Sequence, residues 1–457
     1  MFKTNKKILS ASEMMAKSGI GKRRENRKYI SVEKPNIKLS EEGKKLLNII
    51  KEGGNIFLTG KAGTGKTTFL KYFRAITNKN IVVLAPTGVA AVNIQGQTIH
   101  SFFKFHPGIT DKDVKKVYKN REIYEKIDIL IIDEISMVRA DLFDCVEKFL
   151  RINGPDSGSP FGGIQIIVVG DLYQLPPIVQ SGEDMIFKLV YKSPFFFDAN
   201  SFKKAKFTMI ELQQVYRQSD SDFVELLDLV RTYRLDDDHL EKINQRVLLY
   251  DNSDNLGVVL VTTNYAADKI NHDRLMSLGS IEKHYKGFVD GEFKASELPT
   301  AQDLFLKEGA QVMLLNNDSK GRWINGDIAR VIKTEDDFVR VMFDDGTFDD
   351  IYKYKWEKVK YSLQDDSKIK SEMVGSFVQF PMKLAWAITI HKGQGKTYEK
   401  VFVDFGTGTF APGQAYVALS RCRSLHGLYL KKPLEYNHIL IDERVESFML
   451  EFPKFEL

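Results

Sequence analysis

Short apolar runs punctuate the chain, each closed by a polar residue or a glycine. IFLTG (56–60), IVVLA (81–85), ILIID (129–133) and IQIIVVG (164–170) are almost continuously apolar. Runs of this kind suit strands buried on both faces of a parallel sheet with helices between them. After the first run, Phe69, Leu70 and Phe73 recur at helical spacing. A second set, VVLVT (258–262), KVFVDF (400–405) and GLYL (427–430), predicts a second α/β layer. Between about 309 and 361 the period changes to two: VMLLN, DIARVIKT and FVRVMF alternate around a DDGT turn (344–347). That stretch predicts a small β-barrel inserted into the second α/β unit. No internal repeat and no long low-complexity tract is evident.

Composition narrows the class. The chain has 457 residues, 43% hydrophobic and 28% charged, which excludes disorder throughout and predicts two to four domains. Cys145 and Cys422 are its two cysteines, too few for a disulfide framework or a four-cysteine zinc site, and a reducing compartment is expected. No apolar run approaches the roughly 20 residues that span a bilayer, and the first residues lack a secretory h-region. The net charge of +5 is unevenly placed. Residues 1–30 hold nine Lys/Arg against Glu13 and Glu25, a local +7, so the other 427 residues carry −2. A basic, disordered arm over 1–34 is expected to add salt-sensitive affinity for a polyanion, while the body relies on a local channel.

Candidate chemistry begins at GKAGTGKT (60–67), which follows a strand and opens a helix. The pattern needs glycines so that backbone N–H groups of Gly60, Ala62, Gly63, Thr64 and Gly65 can turn toward phosphates at a helix N-terminus. Lys66 then neutralises phosphate charge, the Thr67 hydroxyl ligates Mg²⁺, and Thr68 continues the phosphate-facing turn. At the end of the strand ILIID, Asp133 is placed to hold the metal and Glu134 to polarise the attacking water. GDLYQLPPI (170–178) positions Gln174 on a Leu-Pro-Pro segment, where it can sense the γ-phosphate.

The ordered set of tracts resembles a superfamily 1 class B helicase, and more narrowly the petite-integration-frequency (PIF) family of 5′-to-3′ DNA helicases. The tracts are APTGVAAVNIQGQTIHSFF (85–103), IIDEISMVRADLFDCVEKFLR (131–151), FGGIQIIVVGDLYQLPP (161–177), ELQQVYRQSDSDFVELLDLVR (211–231), KLAWAITIHKGQGKT (383–397) and AYVALSRCRSLHGL (415–428). The resemblance covers about residues 37–445. It implies an α/β fold of two RecA-like parallel-sheet lobes of the P-loop NTPase type, with the β-barrel in the second. The expected division is 35–198 for the first lobe, with a small insertion near 106–125, and 199–457 for the second, interrupted by the barrel at about 300–375.

Further roles come with the resemblance. Arg217 and Arg421 match the family's two arginines that meet γ-phosphoryl charge, and Gln394 and Gly395 match its nucleotide contacts. Thr87, Gly88, His100, Ser101 and Phe102 fall in the first DNA-contact motif, with Phe103 a weaker candidate; Thr389, His391 and Lys392 fall in the second. The implied ligands are ATP, Mg²⁺, single-stranded DNA and duplex or G-quadruplex DNA. The implied state is a monomeric motor acting in replication, repair, recombination or telomere maintenance, in bacterial or phage-type cytoplasm, or in a eukaryotic nucleus or mitochondrion. Two positions depart from the family pattern. Gly43 occupies the place of an adenine-reading Gln, which implies relaxed nucleotide selectivity, and Gly393 replaces a small hydroxyl or methyl residue. A RecD-like or phage/transposon helicase subunit, a non-catalytic nucleotide-dependent clamp and an RNA-directed remodeler remain alternatives.

Overall fold

The computed structural model describes residues 39–455 apart from 107, 120, 180–186, 188, 219, 248–256, 294 and 364–368. The basic arm lies outside the described residues.

The apolar runs form the strands they predict. Ile81–Ala85 and Ile129–Ile132 are buried throughout, and neighbours in one sheet of seven parallel strands. Its order is Lys454–Phe455, Phe207–Leu212, Asn55–Gly60, Gln165–Val169, Ile129–Ile132, Ile81–Ala85 and Gln97–Thr98. Helices cover both faces, giving two separate apolar cores. The expected boundary at 198/199 is displaced by this order. Phe207–Leu212 pairs directly with Asn55–Gly60, and Lys454–Phe455 adds beyond it. The helix Glu443–Glu451 follows them home: Phe448 stacks on Phe197 at 4.2 Å, and Val445 and Met449 join the first lobe's core. The chain therefore leaves the first lobe after Leu212 and returns to it at its end.

The second lobe holds a four-stranded parallel sheet ordered Ala387–Thr389, Val258–Val261, Val401–Asp404 and Leu428–Leu430. Its core also takes in Ala62 and Leu175 of the first lobe, so the two sheets are packed across an apolar contact as well as a polar cleft.

The period-two region is antiparallel as expected, but the barrel is not what the pairing gives. Five strands run in the open order Phe348–Tyr352, Phe338–Phe343, Ile328–Thr334, Gln311–Leu314 and Met382–Leu384. Among the described residues the two outer strands do not pair with each other. A two-stranded ribbon (Glu282–Lys286 with Asp303–Lys307) and a three-stranded sheet (Phe288–Gly291, Ile369–Gln379, Tyr354–Leu363) complete the module. It thus spans 282–384 rather than 300–375. The DDGT turn closes the hairpin at Phe338–Phe343 and Phe348–Tyr352, with Gly346 at φ 76°. Three of the acidic run's carboxylates are paired: Asp349 with Arg322 at 2.8 Å, Asp350 with Arg340 at 2.6 Å and Asp344 with Lys400 at 3.2 Å. The insertion near 106–125 is a 3₁₀ turn, Asp111–Asp113, and a short helix, Glu122–Glu125, packed on the first lobe.

Candidate active site and strand-binding face

The phosphate loop lies between the strand Asn55–Gly60 and the helix Lys66–Ile76. Gly63 has φ 86°, and a Cβ there would fall 2.5 Å from the Arg217 Cβ. Only glycine lets the loop pass beneath the segment that carries Arg217. Lys66 Nζ donates to Gly60 O at 2.6 Å and Lys61 O at 3.0 Å, so the ammonium is folded onto the loop's own carbonyls. Burial pushes its pKa down, against the pull of Asp171 and Glu134. Thr68, at the outer edge of the helix's first turn, is exposed.

Asp133 and Glu134 close the strand Ile129–Ile132 beside the loop. Asp133 is 5% exposed; burial raises its pKa, opposed by its hydrogen bonds to Glu134 N and the Thr67 hydroxyl and by the charge of Lys66. A buried carboxylate and a hydroxyl in contact form a hard-oxygen pair, which fits Mg²⁺ with its remaining positions left to water and phosphate. Glu134 adopts φ 52°, and its pKa is pushed up to about 7 by burial and then by Asp133, with Lys66 and Arg421 pulling the other way. A carboxylate near neutrality beside a phosphate site suits a general base.

The second lobe reaches into this site. Gln394 Nε2 donates to Glu134 Oε2 at 3.1 Å and to Gln174 Oε1 at 3.3 Å. The Tyr416 hydroxyl accepts from Ala62 N at 2.7 Å. Gly413, at φ 75°, would bring a Cβ within 2.5 Å of the carbonyls of both Tyr173 and Gln174, so the lobes touch backbone to backbone there. Gly395 is exposed beside Gln394 with φ 76°.

Arg421 is 1% exposed, and its guanidinium donates to Val417 O (2.8 Å), Lys396 O (3.2 Å) and Ser420 Oγ (2.8 Å). Arg217 donates to Ser420 O at 3.4 Å. Burial pushes both guanidinium pKa values down, and for Arg217 the like charge of Arg421 adds to it. Lys66, Arg217 and Arg421 thus form a desolvated cationic cluster that an arriving polyanion would stabilise.

Several residues within the quoted tracts were not singled out from the sequence. Asp171 and Arg231 form a buried ion pair at 3.0 Å, the arginine also lying over the Tyr173 ring at 4.2 Å. Asp171 Oδ2 accepts from Gln174 Nε2 at 3.3 Å, which orients that amide. Gln218 Nε2 donates to Ser420 O and Cys422 O at 3.2 and 3.1 Å, holding the two arginine segments together.

The strand-binding candidates fall at two short helices. In the first lobe Thr98 Oγ1 accepts from Ser101 N at 3.2 Å and starts Ile99–Phe103. This turn leaves Ser101 exposed and His100 half-buried, with burial lowering the imidazole pKa against the pull of Asp141. It also sends Phe102 into the core, which corrects its expected place among the DNA contacts. The ring is 6% exposed and meets Phe103 and Tyr124 edge-on at 4.9 and 5.5 Å. Phe103 is equally buried. In the second lobe Thr389 Oγ1 accepts from Lys392 N at 3.2 Å and starts Ile390–Gly393. Lys392 is exposed, and His391 stacks on the exposed Phe410 at 6.2 Å.

These helices belong to a short repeat shared by the two lobes, against the expectation of no internal repeat. Thr-Ile-His occurs at 98–100 and at 389–391, each at the end of a strand parallel to the lobe's neighbouring strand. Two residues past the end of that neighbouring strand, Thr87 and Thr263 are also matched. Thr87 Oγ1 accepts from Ala90 N at 3.3 Å, and Thr263 Oγ1 from Ala266 N at 3.2 Å. Gly88 follows Thr87 with open space around it, and Asn264 follows Thr263. Thr263 is therefore the second lobe's counterpart of Thr87, and the signal for it was the shared Thr-x-x-Ala-Ala spacing (87–91 and 263–267).

A model of the PIF1-like helicase family matches residues 38–237. An ATP-dependent DNA helicase Pif1 from Bdellovibrio bacteriovorus is 33% identical over 429 residues, covering 91% of this chain and 92% of that one. Among solved structures, Bacteroides sp Pif1 in complex with ADP-AlF4 matches with a TM-score of 0.83 at 38% identity, covering 91% of this chain and 98% of that one. Bacteroides Pif1 bound to ssDNA matches with a TM-score of 0.67 at 38% identity, covering 91% and 97%.

Proposed function

This chain belongs to the PIF1-like helicase family, and we propose that it is an ATP-dependent DNA helicase moving 5′-to-3′ on single-stranded DNA. The direction rests on the family. The observation that carries the motor reading is Gln394, a second-lobe side chain bonded at once to Glu134 and Gln174 of the first. Movement of the second lobe therefore changes the groups that handle the γ-phosphate, which is what coupling hydrolysis to stepping requires.

In this reading ATP enters between the lobes and Lys66 exchanges its loop carbonyls for phosphate oxygens. Thr67 and Asp133 would hold Mg²⁺, which would supply neutralisation of β/γ-phosphate charge. Glu134 takes the proton of the attacking water, which Gln174 and Gln394 hold in place. Arg217 and Arg421 stabilise the charge that spreads over the γ-phosphoryl oxygens. Along the strand, helix N-termini begun by Thr87, Thr98, Thr263 and Thr389 present backbone N–H groups to phosphates without reading sequence. His100, Ser101, His391 and Lys392 flank these ends. Among the described residues no helix is long and apolar enough to cross a membrane.

Strand displacement on partial duplexes with a 5′ or a 3′ single-stranded tail, in DNA and in RNA, tests the proposal. ATP-driven displacement of the 5′-tailed DNA is expected. Activity confined to 3′-tailed DNA or to RNA would overturn it, and nucleotide-dependent binding without displacement would leave a clamp instead.

A further inference from the structure

A cleft of about 540 Å³ opens between the helix Asn264–Ser277, the ribbon of Glu282–Lys286 and Asp303–Lys307, and the strand Met382–Leu384. It is separate from the phosphate site, and of its lining only Thr389 and Lys392 have a role above. Thr389 and Lys392 form one end of its wall, so it is continuous with the second lobe's strand-binding turn. The helix on its other side is the one that Thr263 starts. The Thr389 turn and the body of the helix that Thr263 starts thus border the same opening.

The lining divides by chemistry. Leu304, Leu384, Ile388 and the half-exposed Phe305 supply an apolar bed, and Phe305 is backed by His284, stacked on it at 4.6 Å. A supported aromatic ring beside an apolar floor is a stacking platform that tolerates any base. Lys383 and Lys392 reach the same cleft. Neither forms an ion pair with a carboxylate among the described residues, and burial with the neighbouring Lys392 charge lowers the Lys383 pKa to about 8. An ammonium half out of water and without an anion is the half of a phosphate contact that protein can supply. Asp268, Glu282 and Asp303 also stand on the wall, Asp303 held by His284 at 2.8 Å. The volume falls within the range of pockets that hold small organic groups.

We propose that this cleft seats one nucleotide of the bound single strand, its base on the Phe305 bed and its phosphate on Lys383 and Lys392. The proposal rests on the DNA reading above. It gives the second lobe an anchor beyond backbone contacts: one base is withdrawn from the stack and held while the first lobe moves.

The test uses the full chain and fluorescent oligothymidylates carrying a single abasic site moved one position at a time. Wild type is expected to show one position where the missing base weakens binding about tenfold, the effect of losing one stacked base. Ala301→Trp, which fills the exposed mouth of the cleft, is expected to erase that position. Lys383→Gln is expected to lower the slope of affinity against salt by about one contact. Unchanged ATP turnover without DNA certifies that Ala301→Trp is folded, and an unchanged urea-unfolding midpoint certifies Lys383→Gln. Uniform tolerance of abasic sites, or a sensitive position that survives Ala301→Trp, would overturn the cleft assignment while leaving the helicase reading intact. Failure of wild type to bind any oligothymidylate would instead remove the DNA reading, and the cleft assignment with it.

Discussion

Removing the amide of Gln394 offers a sharp probe of how the second lobe controls the first. Gln394 Nε2 lies 3.1 Å from Glu134 Oε2, whose pKa burial and Asp133 push up to about 7. A donor aimed at a carboxylate favours its charged form. Hydrogen bonds to charged groups contribute roughly 1.5–3 kcal/mol, and about 1.4 kcal/mol corresponds to one pKa unit. Taking the lower end for this half-exposed position, Gln394→Ala should raise the Glu134 pKa by about one unit. The sign follows from the role. A general base works deprotonated, so turnover falls as pH drops through its pKa. The assay is DNA-stimulated ATPase from pH 5.5 to 9, with Mg²⁺ in excess so that the γ-phosphate stays ionised, analysed as kcat/KM, which reports the free enzyme. Wild type should lose activity below about pH 7 and the variant below about pH 8. Glu134→Gln should show no such limb and almost no turnover. A limb unmoved by Gln394→Ala, or a wild-type profile flat from pH 6 to 8, would refute the coupling.

Other expectations follow from neighbouring groups. Arg421→Ala should keep ATP affinity in a fluorescent-nucleotide titration while turnover falls by about 10³-fold or more; normal hydrolysis would remove Arg421 from the site. Arg231→Met leaves Asp171 ionised and buried without its partner, and should destabilise the fold by about 3–5 kcal/mol in urea unfolding. Asp171→Asn with Arg231→Met should recover most of that loss, and a double variant as unstable as the single one would show that the pair is not the cause. With Gly43 in place of an adenine-reading side chain, GTP and CTP should be hydrolysed at rates comparable to ATP; strong ATP preference in parallel turnover assays would refute that.

How far the sequence could be read depended on the range of the interactions involved. The parallel strands were legible because burial on both faces writes a continuous apolar run. Lys66, Thr67, Asp133 and Glu134 were legible because each sits at the end of such a run. The lobe boundary was not, because Phe207–Leu212 alternates like any half-buried strand and Lys454–Phe455 is only two residues long. Period-two alternation marked the antiparallel module but carries nothing about whether its outer strands meet. Phe102 was misplaced because the five-residue helix Ile99–Phe103 is too short for periodicity to say which face turns inward. Asp171 and Arg231 are sixty residues apart in the chain, and their pairing exists only once the lobes are packed.

The two Thr-Ile-His tracts carry the argument one step further. Each lobe ends two adjacent parallel strands with a threonine, and each threonine hydroxyl accepts from a backbone N–H three residues on. Because the side chain satisfies one of the helix's free donors, the remaining N–H groups of that first turn are left to face outward. Two lobes presenting the same device can hold a repeating phosphate backbone in the same way at two points. What differs between them is then decisive: the first lobe has Gly88, and its lysine, Lys104, stands at the far end of the turn, whereas the second has Lys392 within the turn and the cleft reached by Lys383. Equal grips on a uniform strand would give no net movement when the lobes close. An additional contact on one lobe makes the other the one that slips, and its strength, set against the nucleotide-linked movement of Gln394, determines how much of each hydrolysis event becomes a step.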